Sequence, residues 1–171
     1  MNFKKYKFLI LLFFLITSNL TFGQKYLLPN EELIYSFETK NGKKLMLAKD
    51  KKENYIVYRF GTKTKIEFEF PDNLKESWSK FKYSFYLRGG GKINEGIDLN
   101  YIAFVNENYK YVIYDTYFSV ENKTNIGIKI IDLRTDKIIE IKGDIKTRKG
   151  NLVQFRDNKL IGIDDENELY D

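Results

Sequence analysis

Apolar and polar residues alternate with a period of two through most of this chain. After a lead-in at residues 25–31, Leu33, Tyr35 and Phe37 share one side of the run from Glu32 to Lys40, and Lys43 to Lys49 alternates again. Asn41-Gly42 between them predicts a hairpin with a type I′ turn, whose two central residues both need positive φ. Tyr55 to Phe60 reads as a strand. So does Lys65 to Phe70, with Ile66, Phe68 and Phe70 inward, Lys65, Glu67 and Glu69 in water, and Pro71 as its stop. Asn73 as N-cap with Glu76 three residues on predicts one short helix. Phe81 to Arg88, Asp98 to Val105, Tyr109 to Val120, Ile126 to Leu133, Lys137 to Lys142, Leu152 to Arg156 and Leu160 to Ile163 complete the strands, with a loop from Gly143 to Gly150. About ten short strands on short connections predict an all-β fold. Parallel neighbours need long crossovers, so the expected topology is an antiparallel meander closing as a sandwich or a barrel.

The two ends break the pattern. Lys4, Lys5 and Lys7 precede an unbroken apolar run from Phe8 to Ile16, and Thr21 and Gly23 stand at −3 and −1 of a cut before Gln24. That sequence of regions predicts a secretory signal peptide over residues 1–23 and a single domain over 24–171. The run is too short for a bilayer, which takes about 20 residues, so the mature protein is expected not to span a membrane and to be periplasmic or secreted. The far end, Asp164-Asp165-Glu166-Asn167-Glu168-Leu169-Tyr170-Asp171, is acidic and is expected to fray.

The cut also changes the charge. Lys+Arg falls from 29 to 26 against 24 Asp+Glu, so a net +5 becomes about +2. The remaining lysines are interleaved with acids on solvent faces, which argues against nucleic acid as a partner. The chain has no cysteine and no histidine. Thiol nucleophiles, disulfides, thiolate metal sites and every histidine-based triad are therefore excluded. No cofactor is expected, and no catalytic motif. The acidic cluster from Asp164 to Glu168 lacks the ligand alternation and central glycine of a calcium loop. Gly89-Gly90-Gly91-Lys92 is followed by Ile93 and lacks the Ser/Thr of a phosphate-binding loop.

Candidate chemistry gathers around the only tryptophan and the only glycine run. Trp78, Tyr86, Arg88, Gly89, Gly90, Gly91, Asn94, Asp98, Asn100 and Tyr101 fall close together in sequence. Rings, a guanidinium and short amides are groups that stack on sugars or anchor protein interfaces. The alternation puts Phe81, Tyr83, Phe85 and Leu87 on the core side, and Tyr86 and Arg88 outward. The same residues also fit a core tryptophan and a glycine bulge that lets the sheet bend. For catalysis the one scheme available is a carboxylate pair, Glu95 and Asp98, flanking the glycine loop.

Taken in order, Tyr58-Arg59-Phe60-Gly61, Ser77-Trp78-Ser79-Lys80-Phe81, Tyr86-Leu87-Arg88-Gly89-Gly90-Gly91 and Asp98-Leu99-Asn100-Tyr101 give a pattern. It resembles that of a group of uncharacterised small secreted or periplasmic bacterial proteins. The resemblance implies an exported all-β domain and brings no activity with it. The expected function is a non-enzymatic binding domain for a cell-envelope glycan or protein. The alternatives are an inhibitor or immunity-like protein against an envelope-attacking enzyme, and a small carboxylate-dependent hydrolase.

Overall fold

The computed structural model describes residues 25–164. The expected signal segment and the acidic tail past Asp164 lie outside the described residues. Ten strands form one curled sheet, a half-barrel: β1 (Glu31–Thr39), β2 (Lys44–Asp50), β3 (Ile56–Gly61), β4 (Ile66–Phe70), β5 (Phe81–Arg88), β6 (Ile97–Asn106), β7 (Tyr109–Phe118), β8 (Lys123–Asp132), β9 (Ile138–Gly150) and β10 (Gly162–Ile163). Their spatial order is β10-β5-β6-β7-β8-β9-β1-β2-β3-β4. Two meanders, β1 to β4 and β5 to β9, are therefore joined through the antiparallel pairing of β1 with β9. One pair departs from the expected antiparallel rule: the short β10 lies parallel to β5, brought back by the long return from β9.

The alternation places the core on the concave face. Tyr58, Phe68, Phe70, Phe81, Phe104 and Tyr111 meet there in one aromatic cluster, with Phe70 stacked on Phe104 at 4.3 Å and Phe104 on Tyr111 at 4.9 Å. Rings of β3 and β4 thus touch rings of β6 and β7 across the interior. Burying such side chains stabilises by roughly 1.5–3 kcal/mol each, which gives a disulfide-free domain its core. Phe81 pairs with Phe104, Tyr83 with Ile102, Phe85 with Asn100 and Leu87 with Asp98, so the inner side of β5 and β6 runs from apolar at one end to polar at the other.

Several local expectations change. Thr39 and Lys43 close the first hairpin, with Thr39 N–H donating to Lys43 O at 2.8 Å, and only Gly42 has positive φ, +78°. The turn is centred on Lys40-Asn41 and ends on a left-handed glycine, a longer loop than the type I′ turn, with the Thr39 hydroxyl bonded to Asn41 Oδ1. The segment from Asn73 forms no α-helix: Asn73 Oδ1 accepts from Lys75 N–H at 2.9 Å, and a 3-10 turn, Ser77–Lys80, comes next. Ile66 leaves the inner face because the β3–β4 register shifts between Phe60 and Gly61. Gly143 to Gly150, expected as a loop, continues β9; Leu152 to Arg156, expected as a strand, is a 3-10 turn, Val153–Phe155, with its flanks.

Candidate functional site

The polar end of the concave face is built from four elements. On β6, Asp98 and Asn100 occupy the same side as the core residues Ile102 and Phe104. On β7, Asp115 sits opposite Asn100 and continues the inward series of Tyr111 and Ile113. Asn100 links the set. Its Oδ1 accepts from the Tyr83 hydroxyl at 2.6 Å and from Arg156 Nη2 at 3.0 Å, and its Nδ2 donates to Asp98 Oδ1 at 2.6 Å.

Two arginines close over these acids, each delivered by a local irregularity. Between Ser36–Lys149 and Glu38–Asp144 the β1–β9 register slips, so residues 145–148 oppose Phe37 alone. Thr147 Oγ1 pins this bulge by accepting from Glu38 N–H at 2.8 Å and donating to Asp144 O at 2.7 Å. The ladder resumes with Lys149 opposite Ser36 and Gly150 opposite Tyr35; Gly150 has φ +73°, and a Cβ there would fall 2.0 Å from Ile34 O, so only glycine fits. Arg148 emerges with Nη2 2.7 Å from Asp115 Oδ2. In the turn after β9 the buried Leu152 and Phe155 anchor the backbone. Arg156 is thereby laid over the Phe85 ring, 5.1 Å from its centroid, with Nη2 on Asp98 and Asn100.

The cluster is open. Side-chain exposure is 30% for Asp98 and 31% for Arg148 but 7% for Asp115, so the cluster runs from partly exposed groups to a buried carboxyl. Exposed Leu87 and Tyr117 flank Asp98 on the neighbouring strands. Burial raises the Asp115 carboxyl from 3.8 to about 6; the Asp98 charge adds to this and Arg148 offsets only part of it. Four buried polar atoms here find no hydrogen-bond partner: Arg148 Nε, Arg156 Nε, Asp115 Oδ2 and Tyr35 Oη. Asp115 is nonetheless not isolated: Arg148 Nη2 pairs with its Oδ2 at 2.7 Å, and the Tyr35 hydroxyl lies close enough to act on the carboxyl.

The residues singled out in the sequence do not form one site. Asp98 and Asn100 belong to the mouth. Trp78 is buried in the core, and its indole N–H donates to Glu53 O at 2.8 Å, fixing the β2–β3 turn. It stands before β5, whereas the glycine loop comes after that strand, roughly 25 Å away along it. Gly89, Gly90, Gly91 and Asn94 form the β5–β6 connection, with left-handed φ at Gly90 and Gly91. Ser119 ties this loop to the end of β7 through Gly91 O at 3.0 Å. Tyr86 is exposed on the convex face, and Arg88 donates to Glu95 O at 2.7 Å. Glu95 stands in solvent, so Glu95 and Asp98 do not share a cleft. Tyr101 points to the convex side, in the lining of a groove of about 510 Å³ with Tyr114 and Phe118. Among the residues missed, Asp115 carried a signal: an acid in an otherwise apolar face of β7. Arg148 and Arg156 carried none, because each owes its place to a bulge or turn that alternation does not encode.

No sequence family, curated protein or solved structure matches the chain. Among the described residues, no helix is long and apolar enough to cross a membrane.

Proposed function

We propose that the protein is an exported, non-enzymatic binding domain that takes a cell-envelope glycan at the mouth formed by Asp98, Asn100, Asp115, Arg148 and Arg156. The observation that carries this is that the cluster presents both kinds of charged group at the surface, the Asp98 carboxylate 30% exposed and the Arg148 guanidinium 31% exposed. A hydroxyl both donates and accepts, so a hydroxyl-rich ligand suits a carboxylate and a guanidinium side by side, whereas a plain anion leaves the carboxylates facing like charge. Phe85, Leu87 and Tyr117 supply apolar surface beside the polar groups, as sugar rings require.

The test is capture of sacculi and envelope extract by residues 24–171. Wild type retains glycan; Asp98→Asn and Arg156→Gln each lower retention about tenfold, the effect of about 1.4 kcal/mol lost from a hydrogen-bonded site. Tyr86→Ala, on the convex face, leaves it unchanged. Equal capture by all variants, or none by wild type, refutes the reading. A second reading rests on Asp115: a buried carboxyl raised to about 6 beside the more exposed Asp98 is the arrangement of a carboxylate-dependent hydrolase, with Asp115 as proton donor. Release of soluble fragments by wild type, abolished in Asp115→Asn while retention persists, distinguishes it.

A further inference from the structure

The convex groove lined by Tyr101, Tyr114 and Phe118 lies where the sheet forks. β9 pairs with β8 from Gly127 to Ile131 and with β1 from Gly143 on, so the two strands part beside Ile126. Tyr101, Tyr114, Gly127 and Lys142 stand in one row across β6, β7, β8 and β9. In that row a Cβ on Gly127 would fall 2.3 Å from Tyr114 Oη. The glycine therefore leaves the space across which the Tyr114 hydroxyl reaches β9, where it donates to Glu140 Oε1 at 2.9 Å. The hollow measures about 510 Å³, the size of a small-ligand site, with Thr124 and Asn125 on its β8 side.

Its charge differs from that of the mouth, where two acids face two arginines. Four lysines surround the groove, Lys40 from the β1–β2 turn, Lys123 and Lys129 from β8 and Lys142 from β9, against two acids, Glu140 and Asp144. Both acids are engaged. Glu140 takes the Tyr114 hydroxyl on one oxygen and has Lys142 Nζ 3.4 Å from the other, and Asp144 Oδ1 accepts from Lys146 N–H at 3.0 Å. Lys123 Nζ stands 3.7 Å from Glu121, farther than a charge-assisted hydrogen bond. Exposed apolar surface is limited to Ile145 and the half-buried Phe118, too little to hold an acyl chain. We infer that this groove is a second ligand site, for an acidic saccharide: its carboxylate or phosphate groups meet the lysines, its hydroxyls Thr124 and Asn125, and the apolar face of a sugar ring Phe118.

The probe is trigalacturonate, with its methyl ester as the uncharged counterpart, titrated into isotope-labelled residues 24–171. The uronate shifts the amides of Phe118, Lys123, Asn125, Gly127 and Lys142, the ester binds at least about tenfold more weakly, and salt weakens the uronate. Lys123→Gln/Lys142→Gln lowers the affinity about tenfold, whereas the same loss of two charges at Lys52 and Lys75, outside the groove, leaves it unchanged. The same amides shifted by glucose 6-phosphate also support the inference and show that phosphate serves as well as carboxylate. Equal shifts with inorganic phosphate make the groove a plain anion site, and equal binding of the ester removes the role of charge. Shifts confined to Asp98, Asn100 and Asp115 place the sugar at the mouth instead. Any of these three results, or no shift at millimolar uronate and sugar phosphate, overturns the inference.

Discussion

Two clusters of arginine and carboxylate sit in this half-barrel, one on each face, and they differ in how completely they are satisfied. On the convex side of β3, Arg59 holds Glu31 through Nη1 at 2.5 Å and Nη2 at 2.8 Å, and Glu69 through Nε at 2.5 Å. Tyr26 O takes a further hydrogen bond from Nη1, and Glu31 also receives Leu28 N–H and the Tyr55 hydroxyl. Burial pushes the Glu31 carboxyl up, but these hydrogen bonds outweigh it and hold the pKa below its ordinary 4.5. On the concave side, Arg148 and Arg156 face Asp98 and Asp115 with Nε atoms unused, and burial prevails at Asp115. The same residue types make a fastening in one place and an unsaturated mouth in the other. Saturation of the hydrogen bonds, rather than the presence of charge, is what sets the two clusters apart.

The largest expected effect separates the two directly. Arg59→Leu leaves Glu31 buried without its partner, which costs about 3–5 kcal/mol. Arg148→Leu leaves a buried carboxyl that can take up a proton instead, its pKa already raised to about 6, and so costs less than an uncompensated buried charge, about 3–5 kcal/mol. Urea midpoints of the two variants at pH 7 measure the contrast. Equal losses would mean that the mouth is as structural as the clamp.

The second prediction uses opposite titration. Asp115 has its folded pKa raised, so its contribution is fully present below 3.8 and is lost as the pH rises through about 6. At about 1.4 kcal/mol per pH unit, the loss is up to about 3 kcal/mol. Glu31 has its folded pKa lowered, so its contribution is present above 4.5 and is lost as the pH falls through the lower value. Stability measured from pH 4 to 7 therefore declines in wild type relative to Asp115→Asn, by up to that amount. Parallel curves for the two proteins break the comparison.

How far the sequence announces these features depends on what period-two alternation encodes. It fixes the face of a residue inside a regular strand: Tyr83, Phe85, Asp98 and Asn100 fall on the inner side by the same rule that orients Phe81 and Phe104. β5 runs from Phe81 to Arg88, as the alternation predicts. The rule fails where the register slips. Ile34 and Gly61 lie at shifts that move Leu33 and Ile66 to the convex face, and the bulge at residues 145–148 turns an expected loop into the strand that delivers Arg148. Trp78 misleads for a different reason: rarity drew attention to it, but its ring fills the core and its N–H ties off a turn. Proximity in sequence around the glycine run likewise says little, since adjacent residues of a strand point to opposite faces and its ends lie far apart.

The smallest expected effect concerns a third arginine pair, which extends the series to the surface. Arg88 donates from Nε at 3.0 Å and from Nη2 at 2.7 Å to the carbonyl of Glu95, while the Glu95 carboxylate stands farther off at 3.6 Å. Here the backbone, not the side chain, satisfies the guanidinium. Glu95 adopts a left-handed φ of +49°, which costs a non-glycine residue roughly 1–2 kcal/mol. Glu95→Gly relieves that cost but loosens the unfolded chain by roughly 0.4–1 kcal/mol, for a net gain of about 0.5 kcal/mol. Denaturation should register the gain, and retention of sacculi should not change, because Arg88 keeps its acceptor. If retention drops in this variant, the glycine loop contributes to ligand binding, and the surface pair belongs with the open cluster rather than with the fastenings.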